Sequence, residues 1–429
     1  MKRLFIAGGR VICPKNGLQT EMDLILSNGR IEEVKPPGQR VPDPSDEVID
    51  AHGCLVFPGG LDLETYLRDP GREAEETLQC TLQTAARGGF TSILALPGTT
   101  LPVDGGDKVE HRLRMAQHVT GAELLIAGSL TQGLAGKDLA EIGEMSAAGA
   151  LAFTDGLKGA ANLKVLRHAL EYTNGFNKPV ILPGTLPALD GAGVIHEGPT
   201  STLLGLPGIP DSGEVIATQH HIELARLTGA RVHLGALSLA RTVRLVKQAQ
   251  ADGVPVTAAV QPWHLLYDES IHQERRYDTL LHLCPPLRTS EDQNALREGV
   301  ADGTLFLSSG HTPLSPIHKE VEFSDAKAGA ISLPTVFAAL HSAALQIDIS
   351  AIVKAFSLGP AQFLGFQDRG HFTAGARGDV CIFDPELEWT VSPSTLGTHV
   401  FNTPLLNQSL RGSVRHTIRE GQLIYTYSS

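Results

Sequence analysis

A chain of 429 residues with 35 basic and 47 acidic side chains carries a formal charge of -12, and without a basic cluster it offers nothing to nucleic acid or an anionic membrane surface. Its five cysteines (Cys13, Cys54, Cys80, Cys284, Cys381) are odd in number and never form a C-x-x-C pair, which argues against a zinc finger and fits a reducing, cytoplasmic setting. The start, MKRLFIAGGRVICPK, has too brief an apolar run for a secretion signal, and no apolar stretch reaches transmembrane length.

The first fifty residues read as short strands: LFIAGGRVICP, MDLILSNGRIEEV with an Asn-Gly turn, and EVIDAHGCLVFPG. GLDLETYLRDPG (residues 60–71) follows an apolar run from Cys54 to Pro58 and reads as the end of a buried strand opening into a loop. Apolar runs then alternate with helical stretches: TSILALPG, AELLIAGSL, GALAFTDG, KPVILPGT, ARVHLGAL, VPVTAAVQ and GTLFLSSG, spaced by segments such as AEETLQCTLQTAARGG and EVIATQHHIELARLTG. Strand, loop and helix repeated about eight times predict a parallel (β/α)8 barrel of α/β class, with its chemistry on loops at the C-terminal strand ends. The last sixty residues return to strands in GDVCIFDP, LEWTVSP, GSVRHTIREG and QLIYTYSS. The expected organisation is a small composite β-sandwich from residues 1–54 and 369–429 around a barrel over 55–368.

Between these elements lie LRDPG (67–71), HEGPTSTLLGLPGIP (196–210), CPPLRTSED (284–292), GHTPLSPIHKE (310–320) and NTPLLNQSLRGSVRHTIREGQLIY (402–425). In order and spacing they resemble segments of the dihydroorotases, members of the cyclic amidohydrolase superfamily. The long irregular stretch 196–210 is the most specific, and the resemblance spans nearly the whole chain. It implies an amidohydrolase barrel with a composite β-sandwich. In an active member it also implies opening or closing of the dihydroorotate ring by a metal-bound hydroxide, in pyrimidine synthesis.

Zinc lowers the pKa of bound water only when several His and carboxylate ligands hold it. Where the resemblance places those groups, the sequence holds Glu64 and Tyr66 for a His-x-His pair, Pro183 in PVILPGT, and Ala236 in HLGALS. Gly310 in SSGHTP takes the place of the aspartate that serves as general base, and Asp155 in AFTDG is retained. Two asparagines that contact substrate fall on Gly98 and Cys284. Pro, Ala and Gly bring no side-chain ligand, acid or base, and the oxygen-only remainder of Asp155 and Glu64 is unlike the nitrogen-rich sets that hold catalytic zinc. No catalytic residue, resident metal or cofactor is expected.

Among the remaining histidines, His233 lies three residues from Ala236, and that odd offset on a strand predicts a side chain turned to the helix layer. His311 follows Gly310 as one imidazole without partners, and His220 and His221 fall in a helical pattern suited to a solvated or capping role. Arg68 matches the arginine that grips the substrate carboxylate, a task for a planar bidentate donor; an ion pair with Asp69 or another loop acid explains it equally well.

A preserved fold with replaced ligands leads to the expectation of an inactive dihydroorotase homologue, a structural or regulatory subunit of an aspartate carbamoyltransferase complex, with a homo-oligomer as a further arrangement. The alternatives are an active cyclic amidohydrolase with a rebuilt centre and a binding module in which Arg68 still holds a small acid.

Overall fold

The computed structural model describes residues 3–98, 101–158 and 162–427. Asn28 and Gly29, both at positive φ, make the two-residue turn that joins Leu18–Ser27 to Arg30–Lys35, with Ser27 opposite Arg30. Such a turn matches the right-handed twist of the strands it joins, which is why Asn-Gly predicts it. The two ends of the chain meet in one sheet ordered Gln422–Thr426, Ser409–Arg419, Val380–Thr390, Leu55–Pro58, Leu4–Cys13, Leu18–Ser27, Arg30–Lys35. Leu55–Pro58 joins them, parallel to the first strand and antiparallel to Val380–Thr390. Leu24, Leu26, Val56, Val380 and Ile382 form much of its apolar core.

Eight parallel strands form the second sheet, running in chain order from Gly60–Thr65 to Leu305–Leu307. The seam between first and last is bridged where Tyr66 N–H donates to the His311 carbonyl at 3.0 Å and Thr65 pairs with His311. Side chains alternate as a barrel requires. Val180, Leu182, Val232, Leu234, Leu305 and Leu307 pack outward on the helices, while Leu61, Leu63, Leu94, Leu125 and Ile181 fill the interior.

The strand expected over Cys54–Pro58 divides in two: Leu55–Pro58 lies in the terminal sheet, and Gly60–Thr65 is itself the first barrel strand. Its polar letters suggest a loop, yet all six residues are buried because their polar groups find partners inside. Among the described residues, no helix is long and apolar enough to cross a membrane.

The irregular segment 196–210 is held by a histidine. His196 Nδ1 lies 2.7 Å from Glu269 and Nε2 lies 3.0 Å from Asp211, and Arg288 donates to the Ile209 carbonyl and to Asp211. Burial opposes the imidazolium, but the two carboxylates outweigh it and push the His196 pKa up to about 9. A raised folded pKa means that this clamp stabilises fully below the ordinary histidine range and is lost as pH rises through about 9. Limited proteolysis at stepped pH is expected to show cutting within 196–210 rising above pH 9, and a His196→Ala chain should be cut equally on both sides of that value.

Candidate active site

The first barrel strand carries two buried carboxyl groups, Asp62 and Glu64, and Glu64 reaches the cavity inside the barrel. Asp62 accepts from the Ser309 backbone N–H at 2.6 Å, the Ser309 hydroxyl at 2.7 Å and the Thr65 hydroxyl at 2.5 Å. These bonds tie the first strand to the loop after the last. Glu64 accepts from the Ser308 hydroxyl at 2.9 Å and the Tyr66 hydroxyl at 3.2 Å. Burial raises the Glu64 pKa to about 7, with Asp62 adding to the rise while Ser308, Tyr66 and Gln261 oppose it through hydrogen bonds. Burial also holds the Tyr66 phenol well above its ordinary range, so Tyr66 is a donor and not a base. A cavity of about 20 Å³ lies against Glu64, Tyr66, Thr154, Pro183, His233 and Ala236, room for about one water molecule.

The family of folds suggested by the sequence contains metal hydrolases, and the donor set can be tested residue by residue. Pro183 and Ala236 line the small cavity and Gly310 the larger one outside it, and none has a ligand atom. Asp155 does face the mouth, but its Oδ1 accepts from the backbone N–H groups of Leu130 and Thr131 at 2.9 and 3.0 Å, and its Oδ2 from the Thr131 hydroxyl at 2.6 Å. Among the described residues, no group of three or more His, Cys, Asp or Glu is placed to hold a metal ion. These residues do not fit a resident divalent metal.

His233 corrects the parity argument. The strand Val232–Gly235 stops before Ala236, which lies beyond it at φ +48°, so the two-residue period does not extend that far. His233 points into the barrel, 2.8 Å from the Thr257 hydroxyl and stacked on Phe306. Burial drives its pKa down to about 3, which leaves a neutral imidazole. His311 is fully buried with Nε2 3.1 Å from Glu76 and Nδ1 accepting from Ser332 N–H; its partners make it part of the seam. His221 is buried and His220 beside it is half-buried, neither serving as a cap.

Arg68 lines a cavity of about 290 Å³ at the barrel mouth with Tyr66, Arg72, Gln261, Cys284, Gly310 and Lys327. Its Nε donates to the Pro313 carbonyl at 2.7 Å and lies 3.3 Å from Glu75. The acid beside it is therefore Glu75, which also holds Arg72 at 2.5 Å. Asp69 caps the next helix instead, accepting from Leu78 N–H at 3.0 Å at a positive helix end. Burial lowers the Arg68 pKa to about 10, so the guanidinium stays charged at neutral pH. Two guanidiniums around one carboxylate leave the mouth with positive charge. Burial pushes the Cys284 thiol up to about 12, which denies it a nucleophilic thiolate.

A family model described as dihydro-orotase-like matches residues 53–241. A protein named dihydroorotase from Anaeromyxobacter sp. (strain K) is 36% identical over 426 residues, covering 98% of this chain and 98% of the relative. The chain belongs to the dihydroorotase-like family. A second dihydroorotase, from Pelotomaculum thermopropionicum, is 38% identical over 428 residues, with 98% of each chain covered. Among solved structures, L-hydantoinase (dihydropyrimidinase) from Arthrobacter aurescens aligns with a TM-score of 0.87 at 20% identity, over 99% of this chain and 96% of that one, a likeness of fold.

For this dihydroorotase-like chain the expectation of an inactive subunit serving an aspartate carbamoyltransferase is corrected, because relatives matched along the full chain are named dihydroorotase. The physical reason lies at position 64. Losing imidazoles at Pro183 and Ala236 removes metal ligands, but Glu64, counted as one more vacated position, stands inside the barrel as a carboxyl group titrating near neutrality. Sequence reasoning also passed over Ser308, Gln261, Arg72 and Glu75. The available signal for Gln261 was its place, a polar residue just past the barrel strand Val256–Val260.

Proposed function

We propose that the chain is a cyclic amidohydrolase with a rebuilt centre, which binds a small cyclic amide bearing a carboxylate, of the dihydroorotate kind, and opens or closes its ring with Glu64 as proton carrier. The observation that carries this reading is the Glu64 carboxyl beside a water-sized cavity beneath a cationic mouth. A general base works best with a pKa near the operating pH, and burial brings Glu64 there. Water in the small cavity attacks the ring carbonyl carbon, and Glu64 takes its proton as the C–O bond forms. The ring C–N bond then breaks, the nitrogen recovers that proton from Glu64, and an open-chain acid results. Ring closure is the same sequence reversed, releasing water. Arg68 and Arg72 hold the carboxylate, and Tyr66 orients Glu64.

Proton transfer of this kind contributes on the order of 10²- to 10⁴-fold, so turnover should be slow. The test follows dihydroorotate and carbamoyl aspartate by ultraviolet absorbance in both directions, with and without chelator. Slow turnover unaffected by chelator is expected, and Arg68→Lys, which keeps charge but loses the planar fork, should raise KM about 10- to 100-fold with little change in kcat. Turnover abolished by chelator, or none above a buffer control, would overturn the proposal; binding without turnover would leave the mouth as a small-acid site.

A further inference from the structure

Gly310 lies past the last barrel strand at φ +59°, a left-handed conformation that disfavours any residue with a Cβ. Space opposes a side chain there as well. A Cβ at 310 would lie 2.3 Å from Gln261 Nε2 and 2.5 Å from its Cδ. Gln261 is buried and shares the mouth cavity with Arg68, Tyr66 and Gly310. Glycine at 310 and glutamine at 261 are thus one arrangement, in which a primary amide takes the room that a side chain at 310 would fill.

The rest of that cavity is walled by apolar groups, among them Leu134, Leu157 and Leu314, by the cations Arg68, Arg72 and Lys327, and by Asp155, whose oxygens accept from Leu130 and Thr131. The cations attract any small carboxylate and cannot tell one ring from another. A primary amide can, because its N–H donors and carbonyl acceptor lie in one plane. Facing a ring that presents N–H and C=O side by side, it exchanges hydrogen bonds with water for hydrogen bonds with ligand. Gln261 already bonds Glu64, and a ring without such an edge leaves the rest of its bonding capacity unmet in a buried place, which a site built for hydrogen bonding penalises.

We propose that Gln261 is the specificity-determining residue of the mouth: it selects carboxylate-bearing rings with an amide edge over rings of the same size and charge that lack one, and Gly310 is required to make room for it. This rests on the mouth being a site for small ring acids, as proposed above.

The test is calorimetric titration of the wild-type chain, Gln261→Met and Gly310→Ala with two probes, dihydroorotate and cyclohexanecarboxylate, each variant first checked by thermal melting. The wild-type chain is expected to prefer dihydroorotate about 10- to 100-fold. Gln261→Met, of similar volume, should lose about tenfold in affinity for dihydroorotate and change by less than about threefold for cyclohexanecarboxylate. Gly310→Ala, if folded, should displace the amide and give the same loss, and the double variant should add nothing further. A Gln261→Met chain that keeps the wild-type preference overturns the assignment and leaves the ring-acid site standing. A wild-type chain that binds neither probe overturns the ring-acid reading, and the selectivity falls with it.

Discussion

The Glu64→Gln chain is expected to lose turnover at every pH and, above pH 7, to be more stable than its parent. Both effects follow from one environment. The folded barrel holds the Glu64 proton more tightly than the unfolded chain does, because burial raises its pKa to about 7. Ionising it in the folded state therefore costs stability, a penalty that begins above the ordinary glutamate range and is complete above pH 7. At about 1.4 kcal/mol per pH unit the displacement is worth about 3 kcal/mol. Ser308 and Tyr66 donate to different oxygens of Glu64; glutamine keeps one of them as an acceptor and has no charge to bury. Denaturant unfolding of both chains should show the glutamine chain gaining about 3 kcal/mol relative to its parent between pH 4 and pH 8. A gap that is the same at both pH values would mean that Glu64 is not strained by burial, and its tuning as a base would fall with it. Such a gain on removing a reactive group is the ordinary conflict between stability and activity.

The architecture was legible because its signals are periodic and local. Asn28–Gly29 defines a hairpin by its own backbone, and the runs TSILALPG to GTLFLSSG carry the apolar continuity of strands buried on both faces. The segment 196–210 announced a preserved loop through its irregular glycines and prolines, but its clamp pairs His196 with Glu269, 73 residues away. The site was legible mainly in its losses. A missing imidazole at Pro183 can be read from one letter, whereas the contact of Ser308 with Glu64 spans 244 residues and the fit of Gln261 against Gly310 exists only once two loops converge. The parity argument for His233 failed for a related reason: the strand stops one residue before Ala236, and letters do not show where a strand stops.

The largest loss of stability is expected from Glu76→Ala, far from any reacting group. Glu76 is fully buried, with Oε2 accepting from the Thr81 hydroxyl at 2.7 Å and lying 3.1 Å from His311 Nε2, and Oε1 accepting from the Thr398 hydroxyl at 2.9 Å. It thereby joins the segment before the first barrel helix, the loop after the last strand and the C-terminal region. Removing one partner of a buried pair leaves the other without compensation and costs about 3 to 5 kcal/mol. Glu76→Gln, which keeps an acceptor, should cost less. Burial opposes the Glu76 charge, but His311, Thr81 and Thr398 outweigh it and hold its pKa below the ordinary value. A depressed folded pKa gives stability that is present above the ordinary glutamate range and lost as pH falls through the folded value. The deficit of Glu76→Gln relative to its parent should therefore shrink as pH falls below about 4. Glu64→Gln changes instead on the neutral side, with the opposite sign. Two buried glutamates within one barrel thus separate by function: the one whose charge is matched by partners closes the seam, and the one whose charge is not remains near neutrality, available for a proton. Unfolding curves of both Gln variants from pH 3 to 9 measure this directly, and parallel curves for the two would refute the division of roles.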